Sequence, residues 1–233
     1  MTPPPDPAPV GRTPGALEAV VFDFDGLIID SETPIYRSTA AALAEQGLDL
    51  TVAGWATVVG HGEEDSFRAL QAAVGAEIDR TAYELAYAAQ DRSWREREPA
   101  LPGVVDLLTA LFDAGIPVGV ASSSSSGWVE GHLDRLGLRP LVGAVATSDR
   151  VDGRTKPAPD TYLLACADLG ARPSRSVALE DSAPGIAAAL AAGLVAVAVP
   201  SEITRHTDLG AAHHAVPDLT HLDPARLAAL VDP

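Results

Sequence analysis

Cysteine, methionine and aromatic residues are scarce in this chain, and its cations are outnumbered. Its 233 residues hold one Cys, one Met, four Phe, four Tyr and three Trp. The lone Cys166 excludes an intrachain disulfide and is compatible with the cytoplasm, where we expect the protein. Its setting, Tyr162-Leu163-Leu164-Ala165-Cys166-Ala167, is an apolar helical pattern that marks a core thiol rather than a nucleophile. Sixteen Lys and Arg against 32 Asp and Glu give a formal charge of −16. That balance disfavours nucleic acid and anionic membranes as partners. If such an acidic chain binds phosphate, it needs local compensation from a metal, a lysine or helix N-termini. No secretory leader is visible. Residues 1–16 are proline-rich without an apolar run and read as a flexible tail. One uncharged run, Ala183 to Pro200, approaches membrane length. Pro184 suits a first helical turn and Gly193 a helix end, so helix, turn and the strand Leu194 to Val199 is the better reading.

The chain changes texture twice. Ala19 to Phe22 is a short apolar run suited to a buried strand. Residues 32–98 then carry helical periodicity and no clear strand. Ile35, Tyr36, Ala40, Leu43 and Ala44 form one stripe, and Phe67, Leu70 and Val74 another. Thr81 with Glu84 resembles a capping box. From Leu101 onward, strands alternate with helices. Ile116 to Ala121, Ala144 to Ala146, Val177 to Leu179 and Leu194 to Val199 read as strands, and Ala215-Val216 as a last short one. Helices lie between them, with a final one over Ala225 to Leu230. That alternation predicts an α/β fold with a parallel, Rossmann-like sheet over 17–31 and 99–233. The helical segment 32–98 is inserted after the first strand as a cap domain.

In such sheets ligands bind off the carboxyl ends of the strands, and four ends here carry polar side chains. Asp23 and Asp25 lie two residues apart at the first, so strand periodicity can bring both to one side. Like charges that close favour a bound cation or a shared proton. Ser122, Ser123 and Ser124 follow the second strand immediately before a helix. Hydroxyls and free backbone N–H groups there would cradle an anion. Lys156 precedes a proline after the third strand. Glu180 and Asp181 end the fourth, and Asp181 or Ser182 can cap the helix opened by Pro184.

The run F-D-F-D-G-L-I-I-D-S-E, the apolar strand ending in Ser122, the K-P-x-P-D of Lys156 to Asp160 and the E-D-S-x-x-G-I from Glu180 resemble the four motifs of the haloacid dehalogenase (HAD) superfamily, in family order. The nearest likeness is to its phosphatase and β-phosphoglucomutase-like branch. That resemblance implies a Mg²⁺-dependent phosphomonoester hydrolase acting on a small phosphorylated metabolite, a sugar or polyol phosphate. It makes Asp23 the nucleophile of an aspartyl phosphate and Asp25 the general acid and base. Ser122, Ser123 and Lys156 would hold the phosphate. Asp23, Asp25 through its carbonyl, Asp181 and Glu180, directly or through water, would hold Mg²⁺. Dehalogenases of the family lack an acid at the Asp25 position, which argues against dehalogenation.

The alternative is a phosphosugar mutase. β-Phosphoglucomutases carry a His where this chain has Ile35, and a cap-loop Arg where it has Glu63. On that comparison the cap lacks a cation for a second phosphate. A regulatory protein on the same fold is a third reading. His61 and Glu63 are candidate substrate contacts from the cap. Of the other five histidines, His213 and His214 sit near the C-terminal strand without acids at metal-ligand spacing, and His132, His206 and His221 read as surface residues. A monomer is expected, with a dimer as the alternative.

Overall fold

A computed structural model describes residues 17–59 and 63–231, the side chains of 63–65 excepted. Strand β1 (Ala19–Phe22) is buried along its whole length. Its neighbours are β2 (Val118–Ala121) and β4 (Ser176–Glu180), both likewise buried. With β3 (Ala144–Ala146), β5 (Val195–Ala198) and β6 (His214–Ala215) they form one sheet in the order β3-β2-β1-β4-β5-β6. Every pairing is parallel. The chain moves outward from β1 through β2 to β3, then returns to place β4 on the other side of β1. The order of strands therefore reverses beside β1, where open α/β sheets form their ligand crevice.

Apolar clusters cover both faces of the sheet. Phe22, Val20, Val120, Val177, Leu179 and Val197 pack on one face with Leu107, Leu108 and Leu111 of helix α5 (Val104–Asp113). Helix α6 (Ser126–Arg135) contributes Val129 and Leu133 to the same cluster. Val21, Ala178 and Ala196 face Tyr162, Ala165 and Cys166 of α7 (Asp160–Asp168), and Ile186 and Ala189 of α8 (Ala183–Ala192). Cys166 is thus the core thiol that its setting predicts. The uncharged run resolves into α8 and β5, joined at Gly193, and no described helix is long and apolar enough to cross a membrane.

Four helices follow β1: α1 (Glu32–Ala44), α2 (Val52–Ala56), α3 (Glu63–Val74) and α4 (Arg80–Ala88). They enclose their own cluster of Leu43, Leu50, Trp55, Val58, Leu70 and Ile78, which Ile203 joins from the loop after β5. Three expectations need correction. Asp79, not Thr81, caps α4, its carboxylate accepting from the Ala82 amide at 3.0 Å. Helix α2 is unforeseen, because five residues are too short to show periodicity. The last strand starts at His214 rather than Ala215, and the last helix, α9, spans Pro224–Ala229.

Candidate active site

A cavity of about 260 Å³ opens at the carboxyl ends of β1, β2 and β4. Asp23, Asp25, Ser122, Ser123, Lys156 and Asp181 all line it, so segments far apart in the chain meet there. Glu32 and Ile35 of α1, Arg95 of the short 3-10 turn Ser93–Glu96, and Trp128 of α6 line it as well.

At its base lies a buried charge cluster. The Lys156 ammonium donates to Asp23 and to Glu180, and all three residues are at most 5% exposed. Burial alone would lower the lysine's pKa, but the two carboxylates outweigh it and hold the value above the ordinary one. Burial pushes Asp23 well up, with the Glu180 charge adding to it and Lys156 opposing. Asp181 is raised in the same way by burial, then by Glu180 and Glu32.

Both oxygens of Glu180 are engaged. Oε1 accepts from Lys156 and, at 2.9 Å, from the Tyr162 hydroxyl, and Oε2 from the Ser182 amide and hydroxyl at 3.0 Å each. Its carboxylate sits where a Cβ on Gly185 would fall, so the first turn of α8 must carry glycine there. Ser182 is the cap of that helix, accepting from the Gly185 amide at 3.2 Å.

A divalent cation fits these donors. Asp23, Glu180 and Asp181 each place a carboxylate oxygen within 4.8 Å of the others. Asp181 Oδ2 accepts from Thr204 at 3.2 Å, whereas Oδ1 is buried with no partner. An orphaned buried carboxylate oxygen is costly unless something binds it. An all-oxygen donor set suits a hard cation such as Mg²⁺. Gly26, at φ +84°, lets the chain turn beside Asp181, and a Cβ there would collide with that carboxylate.

Asp25 is anchored by four donors. Ser31 and Ser124 donate hydroxyls at 2.7 Å each, Trp128 its indole N–H at 2.9 Å, and Ser122 its hydroxyl at 3.4 Å. The serine run is therefore wired differently from an open cradle. The amides of Ser122, Ser124 and Ser126 are taken by Ala146, Ser122 and Asp149. The hydroxyls of Ser122 and Ser124 turn toward Asp25.

Sequence reasoning missed four residues. Glu32 is 8% exposed and accepts from the Trp55 indole at 3.2 Å. Burial, then the charges of Asp25 and Asp23, push it up to about 8. A carboxyl kept neutral at pH 7 can donate a hydrogen bond to a substrate hydroxyl. Arg95 and Trp128 went unnoticed, and Arg95, within 32–98, is a cation lining the cavity where the cap was expected to lack one for a second phosphate. Thr204 orients Asp181. The signal that could have found Glu32 was an acid opening α1 seven positions after Asp25. The others carried none.

His132 is a further correction, since it is 6% exposed. Its ring meets Trp128 edge-on, with centroids 4.3 Å apart, and lies 6.1 Å from Phe24. His206 and His221 are exposed as expected; His214 is exposed too, and His213, also exposed, accepts from the Ala196 amide at 3.0 Å. His61 lies outside the described residues, as does the side chain of Glu63.

The ionisation of Glu32 gives a stability prediction for the metal-free protein. Its carboxyl ionises at the ordinary 4.5 when unfolded and at about 8 when folded. The unfolded state therefore releases its proton first, and stability falls as pH rises between those values. Glu32→Gln should remove this penalty and raise Tm by about 9–17 °C at pH 8, with little gain at pH 4.5. Melting curves in chelator across that range check it. A gain independent of pH would contradict it.

A parallel sheet with paired acids, serines and a lysine at its switch point defines an α/β phosphohydrolase. The chain belongs to the haloacid dehalogenase-like hydrolases, whose family profile matches residues 17–193. The protein YhcW of Bacillus subtilis is 38% identical over 191 residues, covering 81% of this chain and 86% of its own. Hexitol phosphatase B of Escherichia coli K12 is 30% identical over 207 residues, again 81% and 86%. Among solved structures, a HAD family hydrolase from Deinococcus radiodurans R1 with bound phosphate and sodium superposes with a TM-score of 0.74. It is 29% identical and covers 94% of this chain and 99% of that one.

Proposed function

We propose that the protein is a Mg²⁺-dependent phosphatase of small phosphorylated sugars or polyols, working through an aspartyl phosphate on Asp23. The observation that carries this is Asp23, Asp25, Lys156 and Asp181 lining one cavity. Hexitol phosphatase B, by its name, acts on a substrate of this class. Asp23, Asp181 and the Asp25 carbonyl would hold Mg²⁺, with Glu180 orienting Lys156 and reaching the ion directly or through water. Bound there, the ion would offset the negative charge of the carboxylates and the phosphoryl group.

The Asp23 carboxylate attacks phosphorus in line, forming a new O–P bond as the ester O–P bond breaks. Asp25, in its acid form, gives its proton to the departing alkoxide, which leaves as the alcohol. The resulting Asp25 carboxylate then takes a proton from water as that water attacks phosphorus. Phosphate is released and Asp23 regenerated. Lys156 and Ser123 hold the phosphoryl oxygens, with Ser122 joining them if its hydroxyl turns from Asp25, and Lys156 offsets charge that grows in transit. We place this activity in the cytoplasm, with residues 32–98 acting as the cap over the site.

The test is phosphate release from an aryl phosphate and a panel of sugar phosphates. Turnover should fall by about 10³-fold or more in chelator and return with Mg²⁺. Full activity in chelator would sink the metal assignment.

Arg95 gives the mutase reading an observation of its own, because a cation faces the site. With β-glucose 1-phosphate and a catalytic amount of glucose 1,6-bisphosphate, the hydrolase should release inorganic phosphate without accumulating glucose 6-phosphate. Glucose 6-phosphate forming many times faster than phosphate would install the mutase.

A further inference from the structure

Arg95 is the uncommitted cation of the cavity. Lys156, the other cation lining it, is bound to Asp23 and Glu180. The Arg95 side chain makes no ion pair or hydrogen bond among the described residues, and its Nε is buried without a partner. Two indoles hold it in place instead. Its guanidinium lies 5.2 Å from the Trp128 ring centroid and 5.7 Å from that of Trp94. The two indoles meet edge to face at 6.0 Å, and Trp128 is fixed in turn by its bond to Asp25. Cation–π contacts restrain a guanidinium through its face and leave its N–H groups directed outward in the plane. In a chain with twice as many acids as bases, a cation so placed and left without a carboxylate is available to a ligand.

The scissile phosphate is served by the strand ends. Arg95 lines the same cavity from the turn Ser93–Glu96, outside those strand ends, packed on Trp94 and Trp128. We propose that Arg95 recognises a second anionic group, a carboxylate or a phosphate, on the leaving-group part of the substrate. This rests on the phosphatase reading and narrows its substrate class from neutral polyol phosphates to phosphorylated sugar acids or bisphosphates. Glu32, which lines the same cavity and is held by the Trp55 indole, would hydrogen-bond a hydroxyl of the substrate.

The experiment compares three esters of matched length: a hexitol 6-phosphate, 6-phosphogluconate and a hexitol bisphosphate. Wild-type protein should prefer one of the two doubly anionic esters by about 10- to 100-fold in kcat/KM, chiefly through KM. Which of them wins separates a carboxylate from a phosphate. Arg95→Met should bring the preference close to one, and Arg95→Lys should keep part of it. Absence of preference in the wild type, or an undiminished preference in Arg95→Met, would overturn the proposal. If none of the three esters nor an aryl phosphate is hydrolysed, the phosphatase reading has failed instead. Calorimetric binding of the same three compounds to the wild-type protein then decides on Arg95, and equal affinities would overturn it.

Discussion

Asp23→Asn is expected to lower phosphomonoester turnover by about 10⁴-fold or more while leaving the protein folded. The amide keeps the shape of the carboxylate in a buried position, and the Asp23 amide N–H still bonds Leu179 across the sheet at 2.9 Å. Lys156 retains Glu180 as its partner. The change also removes a carboxylate that burial and Glu180 make unfavourable to ionise. Without metal, Tm should therefore hold or rise, and the loss will be in chemistry alone. Folded Asp23→Asn protein turning over within tenfold of the wild type would contradict the covalent mechanism.

Lys156→Met should cost both activity and stability. It leaves Asp23 and Glu180 facing each other in the interior with no cation between them. Removing one partner of a buried ion pair costs about 3–5 kcal/mol, or roughly 6–20 °C in Tm for a chain of this size. Turnover should drop by about 10³-fold, since the phosphoryl group loses the same positive charge. Mg²⁺ should restore part of the stability by drawing on Asp23 and Asp181, and little of the activity. Unchanged melting in chelator would show that the Lys156 contacts with Asp23 and Glu180 contribute nothing to stability.

These two residues were legible in the sequence because strand ends announce themselves. Asp23, Ser122, Lys156 and Asp181 each follow a short apolar run or sit beside a turn residue, and a parallel sheet converges such ends on one crevice. The residues that shape the rest of the cavity carry no such local mark. Trp128 reaches Asp25 across 103 positions of sequence, and Thr204 reaches Asp181 across 23. His132 looked like a surface residue because its type is polar, yet Trp128 and Phe24 enclose it. Arg95 sits in a run of charged residues, Arg92 to Glu98, with no periodicity of its own. Only packing against the indoles of Trp94 and Trp128 distinguishes it from Arg97, which donates to Ser93 at 2.6 Å. Short α2 escaped for a related reason, since Trp55 is buried by contacts with Tyr36 and Glu32 that lie outside its own five residues.

The stereochemical course at phosphorus tests the central claim most directly. A phosphate ester made chiral with oxygen isotopes is hydrolysed by the wild-type enzyme, and the configuration of the transferred phosphoryl group is determined. Attack by Asp23 followed by attack of water makes two in-line displacements, each inverting the centre, so the account predicts net retention. Net inversion would mean a single direct attack by water, and would contradict the role assigned to Asp23.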